Sequence, residues 1–283
     1  MSYSPRSLPL PHGFTHAGRR IAYREYGTGD RVIILIHGLL MDSRMYARLA
    51  PRLAAAGHRV ITVDMLGHGA SDQPHDMMRY SMPQFGADVI ALLDELRVPQ
   101  AVIAGTSLGA NVALEVAVAA PHRVRALVLE MPVLEHALAV AAAVFVPLAL
   151  ALRISRRSMR LVAAAARAIP RSRFLPDLLI DFIRRDPAAS LAVLDGLTFG
   201  RVAPPHQDRT QIAHPTLVIG HPSDPLHPFS DADSTAAELS GARLVEASSI
   251  LEWRLRPERL DRELCRFLDE VWLPAGISAA RPA

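Results

Sequence analysis

Gly105-Thr106-Ser107-Leu108-Gly109 closes the apolar run AVIAG and opens directly into a helical pattern. A serine in G-x-S-x-G at a strand-to-helix turn stands on a strained elbow, where the glycines relieve crowding and the helix N-terminus favours developing negative charge. Ser107 is therefore the candidate nucleophile. Acyl chemistry at such a serine also needs two backbone N–H groups aimed at one point, one from the residue after the nucleophile and one from the loop after an earlier strand. Leu108 meets the first requirement, and Leu39, in His37-Gly38-Leu39-Leu40, meets the second. Asp224, in HPSDPLHP just beyond the run TLVIG, is placed to orient a catalytic histidine; the plainer reading is an aspartate capping the turn before Pro225. His37, at a strand end, reads as structural. His68 lies in DMLGHGASD (Asp64 to Asp72), a glycine-rich loop whose residues are expected to hydrogen-bond one another.

These residues need a scaffold that brings strand ends to one edge. Short runs rich in Val and Ile, at 32–37, 59–64, 101–105, 125–130, 216–220 and 242–247, alternate with helical stretches at 83–96, 108–120 and 257–272. That alternation predicts a mostly parallel sheet covered by helices, because doubly covered strands are almost continuously apolar. Residues 14–27 alternate apolar and polar and predict an antiparallel hairpin at the sheet edge. Between Met131 and His214 no good strand occurs, so residues 134–213 are expected to form a helical cap on a core of 1–133 and 214–283.

At 283 residues the chain can bury a full core, and its composition, half apolar and 21% charged, is that of a globular protein. The single cysteine, Cys265, cannot form an intramolecular disulfide, and MSYSPRSLPLPHG lacks the charged start and apolar stretch of a secretory signal. A cytoplasmic location is expected. All 31 basic residues are arginine, yet the net charge is only +3, which argues no nucleic-acid role.

The cap has two unusual segments. ALAVAAAVFVPLALAL, Ala137 to Leu152, carries no charge, but it is shorter than the roughly twenty residues of a bilayer span and is interrupted by Pro147. It is expected to be a lid over an apolar pocket. In RISRRSMRLVAAAARAIP, taken as one continuous helix, Arg153, Arg156, Arg157, Arg160 and Arg167 share one face. A solvated lid face is the plain reading; contact with anionic lipid or an acidic partner are the sharper ones, and the sequence does not separate those two.

With IHG at 36–38, DMLGHGASD, GTSLG, the Asp224 loop and RPE at 256–258, the chain resembles the cap-bearing branch of the α/β-hydrolase superfamily. The resemblance implies an eight-stranded sheet, a Ser-His-acid triad, no cofactor or metal, and apolar ester, thioester or related acyl substrates. One position departs from it. Relatives supply the catalytic histidine about six residues before the R-P-E, where this chain has Ile250, and no histidine follows His227. Three readings stand. His227, three residues after Asp224, replaces the missing base in an esterase-like enzyme acting through Ser107. Alternatively the pocket and oxyanion hole serve non-hydrolytic cyclase-like or lyase-like chemistry with another base, such as Glu252. In the third, the protein binds a ligand without turnover. The first reading leads.

Overall fold

The computed structural model describes residues 8–154, 156–170, 174–249 and 252–272. Eight strands form one sheet in the order β1-β2-β4-β3-β5-β6-β7-β8. β1 (His12–His16) and β2 (Arg19–Tyr26) are the antiparallel edge hairpin, and β2 also runs antiparallel to β4 (Arg59–Asp64). From β3 (Val32–Ile36) onward all pairings are parallel, through β5 (Ala101–Thr106), β6 (Val124–Glu130), β7 (Thr216–Gly220) and β8 (Ala242–Glu246).

Alternate residues of each strand feed two cores. Ile34, Ile36, Ile61, Val63 and Ile103 face α2 (Met82–Glu95) and α3 (Leu108–Ala119). Ile33, Leu35, Val60 and Val102 face α1 (Leu49–Ala55) and the last helix. That helix, α11 (Glu258–Trp272), buries Leu260, Leu264, Phe267, Leu268 and Val271, the i, i+4, i+7, i+8 stripe its sequence predicts.

Among the described residues five helices separate β6 from β7: α4 (Leu138–Ile154), α5 (Arg156–Ala168), α6 (Phe174–Arg184), α7 (Pro187–Thr198) and the short α8 (His206–Arg209). α9 (Phe229–Glu238) and α10 (Glu252–Leu255) flank β8. The arginine segment is not one helix: α4 and α5 meet at a bend of 102°. Arg153 therefore belongs to α4, where it pairs with Asp195 at 2.6 Å, rather than to a face shared with the arginines of α5.

The chain runs from β3 outward to β4 and returns to the other side of β3 as β5, so the strand order reverses between β3 and β5. A crevice opens beyond the strand ends at such a reversal. Buried polar groups hold its rim. His37 Nε2 accepts from Met65 N–H at 3.0 Å while Nδ1 donates to Gly38 C=O. His68 Nε2 accepts from Leu40 N–H at 3.2 Å while Nδ1 donates to Leu66 C=O. Burial lowers the pKa of both rings, so each stays neutral, in the tautomer its partners require. Asp64 takes the N–H groups of Ser43 and Ala70.

Beneath β5, the buried Glu130 carboxylate accepts Thr106 Oγ–H at 2.6 Å and both arms of Arg254 at 2.8 and 3.0 Å. Tyr46 donates its hydroxyl to Ile36 C=O and lies 3.0 Å from Thr106 Oγ1. Burial alone would raise the Glu130 pKa, but the Arg254 charge and the hydrogen bonds outweigh it and bring the group to about 2.

The G-x-S-x-G glycines are fixed by backbone crowding. A Cβ at Gly109 would stand 2.0 Å from Ile36 O, and one at Gly105 2.1 Å from Gly109 C and O. Neither contact is with a movable side chain. Gly109→Ala should therefore destabilise by about 3 kcal/mol or more, whereas Gly18→Ala, strained only by φ +73° in open space, should cost roughly 1 kcal/mol; urea denaturation of the two variants checks this.

Stability should also follow pH in two stages. Below pH 6.5 the unfolded chain protonates His37 and His68 while the native state does not, so stability falls by up to about 1.4 kcal/mol per pH unit for each. Glu130, depressed from 4.5 to about 2, contributes roughly 3 kcal/mol above its unfolded pKa. That contribution is lost as pH falls from 4.5 towards 2. Urea midpoints at graded pH should decline accordingly, and Glu130→Gln should flatten the lower stage whatever its absolute stability.

Candidate active site

Ser107 sits at the crevice, between the end of β5 and the first residue of α3. Its backbone, at φ 54° and ψ −115°, lies where a non-glycine residue is strained by about 1–3 kcal/mol. The surroundings hold it there: Ser107 N–H donates to Glu130 C=O at 2.8 Å, and its carbonyl accepts from Ala110 and Asn111 as α3 begins.

The loop after β7 brings two further groups to the elbow. Asp224 Oδ1 accepts the backbone N–H groups of Leu226 at 2.8 Å and His227 at 3.1 Å, a local turn that Pro225 and Pro228 stiffen. Its Oδ2 lies 2.8 Å from His227 Nδ1, and His227 Nε2 lies 2.8 Å from Ser107 Oγ. Asp224 thus caps the turn and holds the imidazole at once. With Nδ1–H given to the carboxylate, Nε2 is the acceptor for the serine proton. Burial works to raise the Asp224 pKa, but the imidazole and the two backbone donors outweigh it and the net direction is down. Asp224 stays ionised beside the imidazole.

Leu39 and Leu108 line the same cavity as Ser107 and His227. Leu39 lies in the tight turn closed by Met41 N–H to Gly38 C=O, with Leu40 at φ 56°. A Cβ at Gly38 would lie 3.8 Å from Ser107 Cβ, so this turn passes in van der Waals contact with the elbow. Among the described residues no protein acceptor takes the Leu39 or Leu108 N–H.

The cavity, about 390 Å³, is walled by Leu39, Met82, Phe145, Leu194, Leu197 and Val202 among others, and no carboxylate or arginine lines it among the described residues. Among those residues no cluster of His, Cys, Asp and Glu could hold a metal ion.

Ile250, where relatives carry the histidine, lies outside the described residues, but its neighbours have other tasks. Glu252 is not available as a base: hydrogen bonds from Arg259 at 2.8 Å outweigh its burial and, with Ser248, lower its pKa to about 2. Arg254 is turned down onto Glu130.

Several positioning residues escape a reading of the sequence. Asn111 of α3 donates to Val133 C=O and Val202 C=O at 2.6 Å and accepts from Val133 N–H, tying α3 to both ends of the helical insertion. Asp231 of α9, fully buried, accepts from the N–H groups of Leu134, His136 and Ala137 and from the His136 ring. The helix that follows the His227 loop is thereby fastened to the start of the insertion. A lone Asn inside the apolar LGANVALEVAVAA was the available signal for the first; Asp231 had none.

Comparison with known proteins agrees with the fold. A model of the α/β hydrolase fold matches residues 31–154. The mouse bifunctional epoxide hydrolase 2 is 33% identical over 128 residues, 42% of this chain, a match that spans only 23% of that relative. A solved hydrolase from Pseudomonas aeruginosa superposes with a TM-score of 0.75 at 25% identity, covering 91% of this chain and 98% of the other. An enol-lactonase from Burkholderia xenovorans gives 0.74 at 23% identity, covering 91% and 100%. With the matched elbow half, the eight-stranded sheet and the superposition over nine-tenths of its length, this chain has the α/β-hydrolase fold.

Proposed function

We propose that the protein is a serine hydrolase that cleaves uncharged, apolar carboxylic esters through Ser107, with His227 as base and Asp224 as its orienting acid. The observation that carries this reading is the unbroken chain from Ser107 Oγ to His227 Nε2 and from His227 Nδ1 to Asp224 Oδ2, each link 2.8 Å. A serine hydroxyl is a poor nucleophile without an adjacent proton acceptor, and both links lie within the reach general-base catalysis requires.

In the proposed cycle Oγ attacks the ester carbonyl carbon as its proton passes to His227 Nε2. The carbonyl oxygen gains negative charge and takes the free N–H groups of Leu39 and Leu108. Asp224 stabilises the imidazolium, which then protonates the departing alkoxide and leaves an acyl-serine. Water enters, gives a proton to His227 and attacks the acyl carbon; the carboxylic acid leaves and Ser107 recovers its proton.

The cavity supports the substrate class. An apolar wall gains from each methylene it removes from water, and a charged acyl group would be desolvated there without a partner. Across a series of straight-chain p-nitrophenyl esters, kcat/KM should therefore rise about fourfold per added methylene until the cavity is filled, from roughly 0.8 kcal/mol per buried CH₂. Esters ending in a carboxylate should be poor substrates.

Ser107→Ala, His227→Gln and the double variant should each lose about a thousandfold or more in kcat, with the double no worse than the worse single, because members of one catalytic unit are not additive. If His227→Gln retained wild-type turnover while Ser107→Ala lost it, a different group would be the base.

A further inference from the structure

α4 closes one side of the cavity and leaves its other side bare. Leu138, Ala141, Phe145 and Val146 line the pocket, and Leu148 and Ala149 pack against Leu40, Leu191 and Leu194. The opposite face, a continuous arc of about 140° at 100° per residue, presents Ala139, Ala143, Val144, Pro147, Leu150, Ala151 and Ile154 to solvent. Val144 is 49% exposed, Leu150 52% and Ile154 74%, so aliphatic surface is open along the helix. On α5, Leu161 and Val162 are also exposed, at 72% and 47%. Contiguous apolar surface of this kind marks an interaction site rather than an ordinary exterior.

Along the sequence, the segment that carries this face is charged with one sign only. From His136 to Pro176 the chain contains no acidic residue, while arginines stand at 153, 156, 157, 160, 167, 171 and 173. Arg153 is paired with Asp195, but Arg160, exposed on α5, meets no carboxylate among the described residues. Among those residues no single helix is long and apolar enough to cross a bilayer. An aliphatic face on a segment that carries arginines and no acid suits a helix lying in the headgroup boundary of an anionic membrane. A specific protein groove would be expected to meet aromatic anchors and hydrogen-bonding side chains, and this face offers neither.

We propose that the outer face of α4, with Arg160 on the helix that follows it, docks on a lipid surface carrying anionic headgroups. The helix would then have lipid on one side and the apolar cavity on the other. The proposal does not depend on hydrolysis by Ser107.

Co-sedimentation with phosphatidylcholine vesicles, with and without phosphatidylglycerol, tests it. The wild type and Ser107→Ala should bind the anionic vesicles equally, and high salt should weaken that binding. Leu150→Asp/Ile154→Asp, two positions outside the cavity lining, and separately Arg160→Glu, should each reduce the partition coefficient by about tenfold or more. Hydrolysis of a soluble short-chain ester and an unchanged thermal midpoint report that these variants remain folded. No binding at low ionic strength, or binding indifferent to these substitutions, overturns the proposal. So does sedimentation-velocity evidence of a dimer that the paired aspartates dissolve in a protein that ignores vesicles, since the face would then belong to a second copy.

Discussion

The proposed chemistry depends on one hydrogen bond, from Ser107 Oγ to His227 Nε2 at 2.8 Å. Everything around it serves to keep that separation. His227 and Asp224 come from the same turn: Asp224 uses one oxygen to fix the backbone of Leu226 and His227 and the other to fix the ring. The imidazole is therefore aimed by local geometry, between residues three apart, rather than by packing one long loop against another. Only the distance from this turn to the elbow is left for the sheet to set, and β5, β6 and β7 are consecutive in it.

The serine side is held just as firmly. Gly105 and Gly109 allow β5, β3 and α3 to approach at distances no Cβ would permit, and Ser107 keeps a strained φ because its N–H and C=O are both engaged. Below, Glu130 gathers Thr106 and Arg254, so the segment 252–259 acts as support for the elbow. Above, two neutral histidines pin the turn that carries Leu39. Asn111 and Asp231 fasten the insertion over the cavity from two helices on either side of it.

Much of this was legible in the chain. The strands were readable because covering on both faces makes β3, β5 and β7 continuously apolar, and the elbow because its glycines are sterically compulsory. His227 drew attention as the last histidine, three residues after Asp224. What escaped has physical causes. α9, FSDADSTAAE, lacks an apolar stripe because two of its buried residues are Asp231 and Thr235, whose partners are polar groups, mostly backbone, rather than a hydrophobic core. Glu130 and Arg254 are 124 positions apart, and nothing in either neighbourhood announces the other. The arginines of 153–167 looked like one face only on the assumption of an unbroken helix, and the bend between α4 and α5 divides them. Periodicity reports contacts along an element; polar contacts between distant elements leave little trace in it.

Intact-mass labelling with a fluorophosphonate addresses the hydrogen bond itself, since only a serine with a proton acceptor in place reacts quickly. The account predicts a single adduct, mapped to Ser107, that forms rapidly in the wild-type protein and about a thousandfold or more slowly in His227→Gln of unchanged thermal midpoint. Equal labelling rates in the two proteins, or an adduct elsewhere than Ser107, would contradict it.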